Sequence, residues 1–457
     1  MAIISVDTAR SFQTIESFGA SGAWWAQVVG GWDNTDPLSG KSVRERIAEL
    51  LYSSRDGIGL ECYRYNLGGG SKNSGSCTFS GGNRGAESFD ISDTQYDFTR
   101  DANAVRMLRE CVKYGADDVV LFSNSPPEWW TKNHKACLDT PWLTNLARKN
   151  EAAFVRYLLD CAEHFISEGI PVKYISPVNE PLWVWTEKHG QEGCHYNPSG
   201  VKRLMRLLAT ELEKRPALKG VKISGAENGD IRWFNKTYCR VMLGDEIIRR
   251  NIDAVDTHSY CLHSPLGFMN DRVAYLKRYR RYMDKKYPGV PVKISEWTHM
   301  QGGGDSGMDS ALVQARVMHE DLSVLNVSSW QHWVAVSNGN YCDGLIYMNQ
   351  NEKTYELTKR YYAFGNFTAF VRRGSVRVGA ECDDNELLVT AFINGGKTVL
   401  VIVNPTDKAK NIELRGCPDT GCGYVTSDEE SLTPFAVQGG TASLARRSVT
   451  TIVCEQA

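Results

Sequence analysis

Two glutamates each end a short apolar run, in the position that a catalytic carboxylate takes in a barrel enzyme. Residues 172–181 read VKYISPVNEP and contain Asn179 and Glu180, and residues 290–297 read VPVKISEW and contain Glu296. Both runs have the length and composition of buried strands. Carboxyl groups at the ends of parallel barrel strands can meet across one glycosidic bond. The pair therefore predicts sugar-cleaving chemistry.

For one glutamate near a strand end, a surface carboxylate is the simpler interpretation. Two of them, one between Asn179 and Pro181 and the other before Trp297, favour the catalytic interpretation. We expect Glu180 and Glu296 to converge from opposite sides of the barrel mouth. Retaining hydrolases hold such carboxyl groups about 5 to 5.5 Å apart, and a separation above about 10 Å would exclude the pair.

Three further residues on predicted strands have both a functional and a structural interpretation. Arg64 either lies near Glu296, keeping it ionised, or satisfies a carboxylate at the barrel bottom. His258 either contacts a sugar hydroxyl or is a buried core histidine. Glu227 is a third carboxylate at the mouth, which either binds hydroxyls or forms a structural ion pair.

The 12 Trp and 20 Tyr of the chain suit a neutral sugar substrate, because sugars pack flat C–H faces on aromatic rings. Trp130, Trp297 and Trp333 are the favoured sugar platforms, since each follows or ends a predicted strand. Trp24 follows a run of small residues that could open onto a site, but core packing explains it equally well. The Gly68-Gly69-Gly70 run lacks the Lys-Ser/Thr of a phosphate loop and is interpreted as a flexible loop over the mouth.

Eight predicted strands alternate with helices and indicate an α/β fold, a (β/α)8 TIM barrel with a packed side β-sandwich domain. The strands are predicted at 17–25, 61–67, 118–130 (ending in Pro-Pro and two tryptophans), 172–181 (ending at Glu180), 221–227, 253–260, 290–296 and 328–336. The helices are predicted at 41–52, 99–114, 152–166, 202–214, 236–249, 271–287 and 310–325. Beyond about residue 356 we expect only short strands, with a hairpin signal at 394–397. The predicted domains are the barrel at 16–356 and the sandwich at 1–15 plus 357–457.

Composition narrows the class of partner. The 457 residues carry a net charge of −2, which gives no strong field for nucleic acid or an anionic membrane. No run of about 18 apolar residues is present, as a spanning helix would need. The chain starts without a secretory signal, so we expect a cytoplasmic protein, or a secreted one if a leader was trimmed. The composition does not set the oligomeric state.

The 13 cysteines have no paired spacing of the zinc or redox kind, so we expect reduced thiols and no metal site. Cys417 and Cys422 come nearest to a ligand spacing. Four residues separate them and no second pair accompanies them. No metal or organic cofactor is therefore expected.

Four motifs together resemble glycoside hydrolase family 30. They are 176–181 (SPVNEP), 294–297 (ISEW), 122–130 (FSNSPPEWW) and 361–367 (YYAFGNF), and the resemblance covers nearly the whole chain. It implies a retaining glycosidase with Glu180 as general acid/base and Glu296 as nucleophile. It also implies that Arg64 and Tyr260 steady the nucleophile and that Asn179 contacts the sugar.

Residues 19–26 (GASGAWWA) and 191–194 (QEGC) look most similar to the endo-β-1,6-galactanase branch of that family. The resemblance implies endo action on β-1,6-galactan or exo action on galacto-oligosaccharides. The alternatives from sibling branches are β-1,6-glucanase, xylanase, and β-fucosidase or β-xylosidase. A non-catalytic carbohydrate-binding barrel and a transglycosylase also remain open.

Overall fold

The computed structural model describes residues 1–77, 79, 84–92, 95–232, 235–261 and 271–455. One sheet contains all eight of the predicted parallel strands, the fifth of them in two pieces. Its strands are Ser17–Ser21, Cys62–Asn66, Asp118–Phe122, Val172–Ser176, Lys222–Ile223, Ala226–Asp230, Val255–Tyr260, Val292–Trp297 and Ser329–His332. Lys222–Ile223 pairs with the fourth predicted strand and Ala226–Asp230 with the sixth, at the two ends of the sheet order. Because these two pieces belong to one segment, the sheet closes on itself, which confirms the eight-strand barrel.

Burial explains why these segments are strands. Every residue of Asp118–Phe122 and of Val292–Trp297 is buried. Parallel strands covered on both faces read as continuous apolar runs, which is the pattern of Asp118–Phe122 after its first residue. Cys62–Asn66 and Asp118–Phe122 pair in parallel without a register shift, from Cys62 opposite Asp118 to Asn66 opposite Phe122.

Helices separate the strands as predicted, with small changes at their ends. They are Trp25–Val29, Val43–Tyr52, Ser71–Ser74, Ala102–Tyr114, Glu151–Ser167, Pro198–Leu212, Asn235–Leu243, Glu246–Asn251, Arg272–Lys286, Met308–Glu320 and Lys359–Thr368. The single helix expected at 236–249 is two helices, because Asp245 accepts hydrogen bonds from the N–H groups of Ile247 and Ile248 and starts a new helix. Among the described residues, no helix is both long and apolar enough to cross a membrane.

The second large sheet is antiparallel except for one pairing. Its strands are Ala2–Thr14, Val376–Cys382, Leu388–Asn394, Lys397–Asn404, Lys410–Arg415, Gly421–Thr426, Thr433–Val437, Thr441–Leu444 and Ser448–Cys454. The amino-terminal strand pairs antiparallel with Val376–Cys382 and parallel with Lys410–Arg415. Ile4, Leu400 and Ile452 belong to one buried core. This confirms the predicted β-sandwich.

One prediction for this part of the chain is wrong. Helices do not disappear after residue 356, because Lys359–Thr368 is helical and contains the YYAFGNF stretch. The Thr358 side chain caps it by accepting from the Tyr361 N–H. Tyr361, Phe364 and Phe367 of the stretch are buried in packing that its strand-like composition did not reveal.

The chain forms two compact units. One comprises Met1–Gly19, Arg46–Glu61 and Thr298–Ala457, and the other comprises Ala20–Glu45 and Cys62–Trp297. The bounds inferred from sequence, 16–356 against 1–15 plus 357–457, stay a prediction. The described residues also form two small sheets. One joins the strands Val336–Ser337, Ile346–Asn349 and Thr354–Leu357, and the other joins Asp90–Ser92 with Gln95–Tyr96.

Candidate active site

The ends of five barrel segments bring a set of charged side chains together. Arg64 comes from the second strand, Glu180 follows the fourth, Glu227 lies on the fifth, His258 on the sixth and Glu296 on the seventh. All five belong to the unit that contains Cys62–Trp297. Parallel barrel strands present such side chains at one end, where barrel enzymes have their active sites.

Glu180 and Glu296 converge as expected. Nδ1 of His258 lies 3.0 Å from Oε1 of Glu180 and 3.3 Å from Oε1 of Glu296. One carboxylate oxygen of Glu180 and one of Glu296 lie within 4.8 Å of each other. This separation is near the roughly 5 to 5.5 Å of retaining glycosidases and well short of the about 6.5 to 9.5 Å of inverting ones. The catalytic roles of the two residues stay predictions.

Glu296 is held by two donors. Nη1 of the buried Arg64 donates to Oε2 at 2.6 Å, and the Tyr260 hydroxyl donates to Oε1 at 3.1 Å. Burial raises the pKa of Glu296, and the cations His258 and Arg64 oppose that rise without cancelling it. We assign the carboxylate form, because both oxygens accept hydrogen bonds and an arginine is always charged. Arg64 thus contacts the predicted nucleophile and not a carboxylate at the barrel bottom.

The same guanidinium reaches two more groups. Its Nη2 donates to Oδ1 of Asn179 at 2.9 Å and lies 3.5 Å from Oε2 of Glu227. Its plane covers the Phe122 ring at 3.8 Å from the ring centroid. Arg64 is fully buried and acts on the site by holding Glu296 and Asn179. Asn179 lies beside Glu180, and its predicted sugar contact stays a prediction.

Glu227 and His258 are structural members of this cluster. Both are fully buried. The predicted contact of either residue with a sugar hydroxyl stays a prediction. The Glu227 carboxylate accepts from the hydroxyls of Ser224 and Ser295 and pairs with Nε2 of His258 at 3.2 Å. Burial raises the pKa of Glu227, but Arg64 and His258 together bring it well below its usual range.

His258 lies between carboxylates on both sides of its ring. Burial would lower its pKa, but Glu296, Glu180 and Glu227 raise it to about 9. We therefore assign the imidazolium form at neutral pH, in which both ring nitrogens donate. The burial of His258 agrees with the structural interpretation.

Backbone geometry fixes the direction of the Glu180 side chain. Glu180 and Glu227 have φ values of 42° and 53°, in the left-handed region that non-glycine residues rarely occupy. The Glu180 N–H donates to the Glu227 carbonyl at 2.9 Å. A Cβ on Gly229 would lie 2.6 Å from Oε1 of Glu180, so only glycine leaves room for the carboxylate there. Local strain at a functional site is a common arrangement.

Glu180, His258 and Glu296 could in principle hold a metal ion, because each offers a ligand atom within 4.8 Å of the others. A protonated histidine cannot coordinate, however, and the Arg64 cation already contacts Glu296. The donor set fits a charge network for proton transfer better than a metal centre. The expectation of no metal stays a prediction.

The tryptophans are placed differently from the prediction. Trp130, Trp297 and Trp333 are 3%, 6% and 8% exposed, so they offer little surface to a sugar, and Trp130 packs edge-on against Tyr157. Trp24 is half-buried beneath the Arg84 guanidinium. Among the described tryptophans, Trp142, Trp129 and Trp183 are exposed, at 67%, 44% and 43%. Trp129 was not among the tryptophans predicted to contact a sugar. The signal was its neighbour Trp130, because adjacent side chains in a short helical turn must point to different sides.

The Gly68–Gly70 run is buried and held by hydrogen bonds, so the prediction of a flexible loop is wrong. The buried Glu192 carboxylate accepts from the N–H groups of Gly69 and Ser71, at 2.8 and 3.1 Å. A Cβ on Gly68 would come within 2.4 Å of the Glu87 carbonyl oxygen. These glycines therefore serve close backbone packing.

Comparisons with known proteins give a consistent picture. A model described as O-Glycosyl hydrolase family 30 matches residues 1–347, and one described as the glycosyl hydrolase family 30 beta sandwich domain matches 374–452. An endo-β-1,6-galactanase of Hypocrea rufa is 26% identical over 81% of this chain and 75% of its own length. A glucuronoxylanase of Bacillus subtilis is 23% identical over 77% of each chain. The crystal structure of a conserved exported protein from Bacteroides fragilis has a TM-score of 0.86 at 24% identity, covering 99% of this chain and all of the other.

Proposed function

The chain belongs to glycoside hydrolase family 30, and on that premise we propose that it hydrolyses β-1,6-linked galactan by a retaining, double-displacement mechanism. Membership makes it a glycoside hydrolase, so its substrate is a carbohydrate. The close approach of the Glu180 and Glu296 oxygens, within 4.8 Å, carries the retaining part of the proposal.

The two glutamates differ in their surroundings in the way that two unequal roles require. Glu296 accepts from Arg64 and Tyr260 and is 7% exposed at its side chain, whereas Glu180 is 15% exposed and faces His258. Glu296 would attack the anomeric carbon, while Glu180 protonates the departing oxygen. Glu180 would then take a proton from the water that releases the sugar from Glu296.

β-1,6-galactan is the substrate we favour because the galactanase relative has the higher identity of the two described above. β-1,6-glucan, xylan, and β-fucosides or β-xylosides are the alternatives. The exposed Trp129 and Trp183 rings provide flat surfaces suited to a chain of sugars. Trp183 also lies in the turn that follows Glu180, since its N–H donates to the Glu180 carbonyl at 2.9 Å.

A substrate panel tests the proposal. The protein is incubated with β-1,6-galactan, β-1,6-glucan, xylan and aryl β-glycosides, and the products are sized. Mixed oligosaccharides from galactan indicate endo action, and one small product indicates exo action. Cleavage of another polymer alone would overturn the substrate, and no cleavage together with binding would favour a non-catalytic barrel.

The stereochemical outcome is a separate measurement. Proton NMR during the first minutes of hydrolysis identifies the anomer that is released first. A β-anomer supports retention, and an α-anomer contradicts it. Longer products than the substrate would identify transglycosylation, which uses the same two carboxylates.

A further inference from the structure

Two cysteines on different loops of the barrel unit lie side by side. Sγ of Cys77 is 2.8 Å from Sγ of Cys137, although 60 positions separate them in the chain. Both are buried, at 8% and 1% exposure, and both are thiols in this structure. Two sulfur atoms that are not bonded normally stay farther apart than this. We propose that Cys77 and Cys137 form a disulfide when the chain folds under oxidising conditions.

The backbone around Cys137 is fixed independently of the sulfur contact. Nδ2 of Asn133 and Nδ2 of Asn145 both donate to the Cys137 carbonyl, at 2.9 and 3.2 Å. The neighbouring Leu138 N–H donates to the Trp185 carbonyl at 2.7 Å. The Cys137 side chain is therefore presented from a rigid loop.

The Cys77 side is tied to the same region. The hydroxyls of Ser74 and Ser76 both donate to Oε2 of Glu128, at 2.7 Å each. The Glu128 N–H donates to the Gly69 carbonyl at 2.9 Å. Three polar contacts thus already hold the loop after the second strand against the loop after the third. A covalent bond at Cys77 would lock an approach that the fold makes on its own.

The chemistry is thiol–disulfide exchange with a small disulfide such as oxidised glutathione. The Cys77 thiolate attacks one sulfur of the oxidant, which leaves a mixed disulfide and releases one thiol. The Cys137 thiolate then displaces the second thiol, and the two protons of the cysteines end on the two released thiols. Because both sulfurs are buried, exchange takes place during folding.

The bond would change the expectation for cellular location. Disulfides persist in secreted proteins and are rare where glutathione keeps thiols reduced. Reduced thiols in a cytoplasm were the expectation from the chain's start and its scattered cysteines. A stoichiometric Cys77–Cys137 bond instead fits a protein that matures in an oxidising compartment.

A peptide map tests the bond without reference to activity. The full chain is produced with an added secretion signal into an oxidising compartment, alkylated under denaturing conditions and digested without reductant. We expect one peptide pair joined through Cys77 and Cys137 in nearly all molecules. Recovery of both residues as alkylated thiols overturns the proposal, whatever the substrate proves to be.

Thermal unfolding gives a second measurement. Reductant should lower the Tm of the wild type by about 5 °C or more, because the bond closes a long loop. The double variant C77A/C137A should lose that response, and the matched control C239A should keep it, since the buried Cys239 sulfur contacts the Tyr279 hydroxyl. Equal responses in all three proteins would assign the effect elsewhere, for example to the hydrogen-bonded Cys417 and Cys454.

Discussion

The buried charges of the site nearly balance. Arg64 and the protonated His258 are two cations, and Glu180, Glu227 and Glu296 are three carboxylates. When one of the three carboxyl groups carries the proton that a general acid needs, two cations and two anions remain. Buried charges are costly unless they are paired, so this balance favours one protonated and one ionised glutamate at the mouth.

Replacing Glu296 with Gln tests the nucleophile. The amide keeps the shape but cannot form the glycosyl ester, so kcat should fall by on the order of 10⁴-fold or more while ligand affinity is kept. Turnover of an aryl β-glycoside and calorimetric binding of an oligosaccharide measure the two effects. E213Q, at an exposed carboxylate paired with Arg250, is the control and should keep full activity. Activity of E296Q within a few-fold of the wild type would remove Glu296 from the mechanism.

His258 makes stability depend on alkaline pH. Its folded pKa of about 9 lies above its ordinary value, so its stabilising effect is complete below about pH 6.5 and is lost as the pH rises through about 9. The wild type should lose on the order of 3 kcal/mol more than H258Q over that window. Guanidinium unfolding at several pH values measures the difference. Parallel curves for the two proteins would contradict a protonated His258.

At the scale of elements, Gly229 on the strand Ala226–Asp230 decides where the Glu180 carboxylate lies. A Cβ there would displace Oε1 of Glu180, a flexible group, and no backbone atom is as close. G229A should therefore lower kcat/KM by about 100-fold with little change in Tm. G302A is the matched control, because a Cβ at Gly302 meets nothing within 4 Å. A large loss of Tm in G229A, or no loss of activity, would show that the carboxylate is placed by something else.

Strands such as Asp118–Phe122 were predictable from the sequence because a barrel buries both faces, and this strand is apolar from its second residue onward. The convergence of Glu180 and Glu296 followed from the same reasoning. Exposure could not be predicted, since Trp129 and Trp130 look identical in sequence and only packing separates them. The helix Lys359–Thr368 was missed because its aromatic composition is typical of strands.

At the scale of the whole molecule, the amino-terminal strand pairs the first residues of the chain with strands in its last hundred residues. Ala2–Thr14 pairs on both of its edges, and Ile4 is fully buried in the sandwich core. I4A should lower the free energy of unfolding by about 2 to 5 kcal/mol. The control S5A changes an exposed neighbour and should cost less than about 0.5 kcal/mol. Urea unfolding measures both, and equal stabilities would mean that this strand does not contribute to the folded sandwich.

Glu192 joins loops that are distant in the chain, because one carboxylate from the segment after the fourth strand accepts from Gly69, Ser71 and Ala86. If the loop after the second strand were replaced with that of a relative to alter substrate preference, the Glu192 carboxylate would lose its donors. A successful graft must move both segments as a set. To change substrate preference in this scaffold, loops that contact one another must therefore be exchanged together and not one at a time.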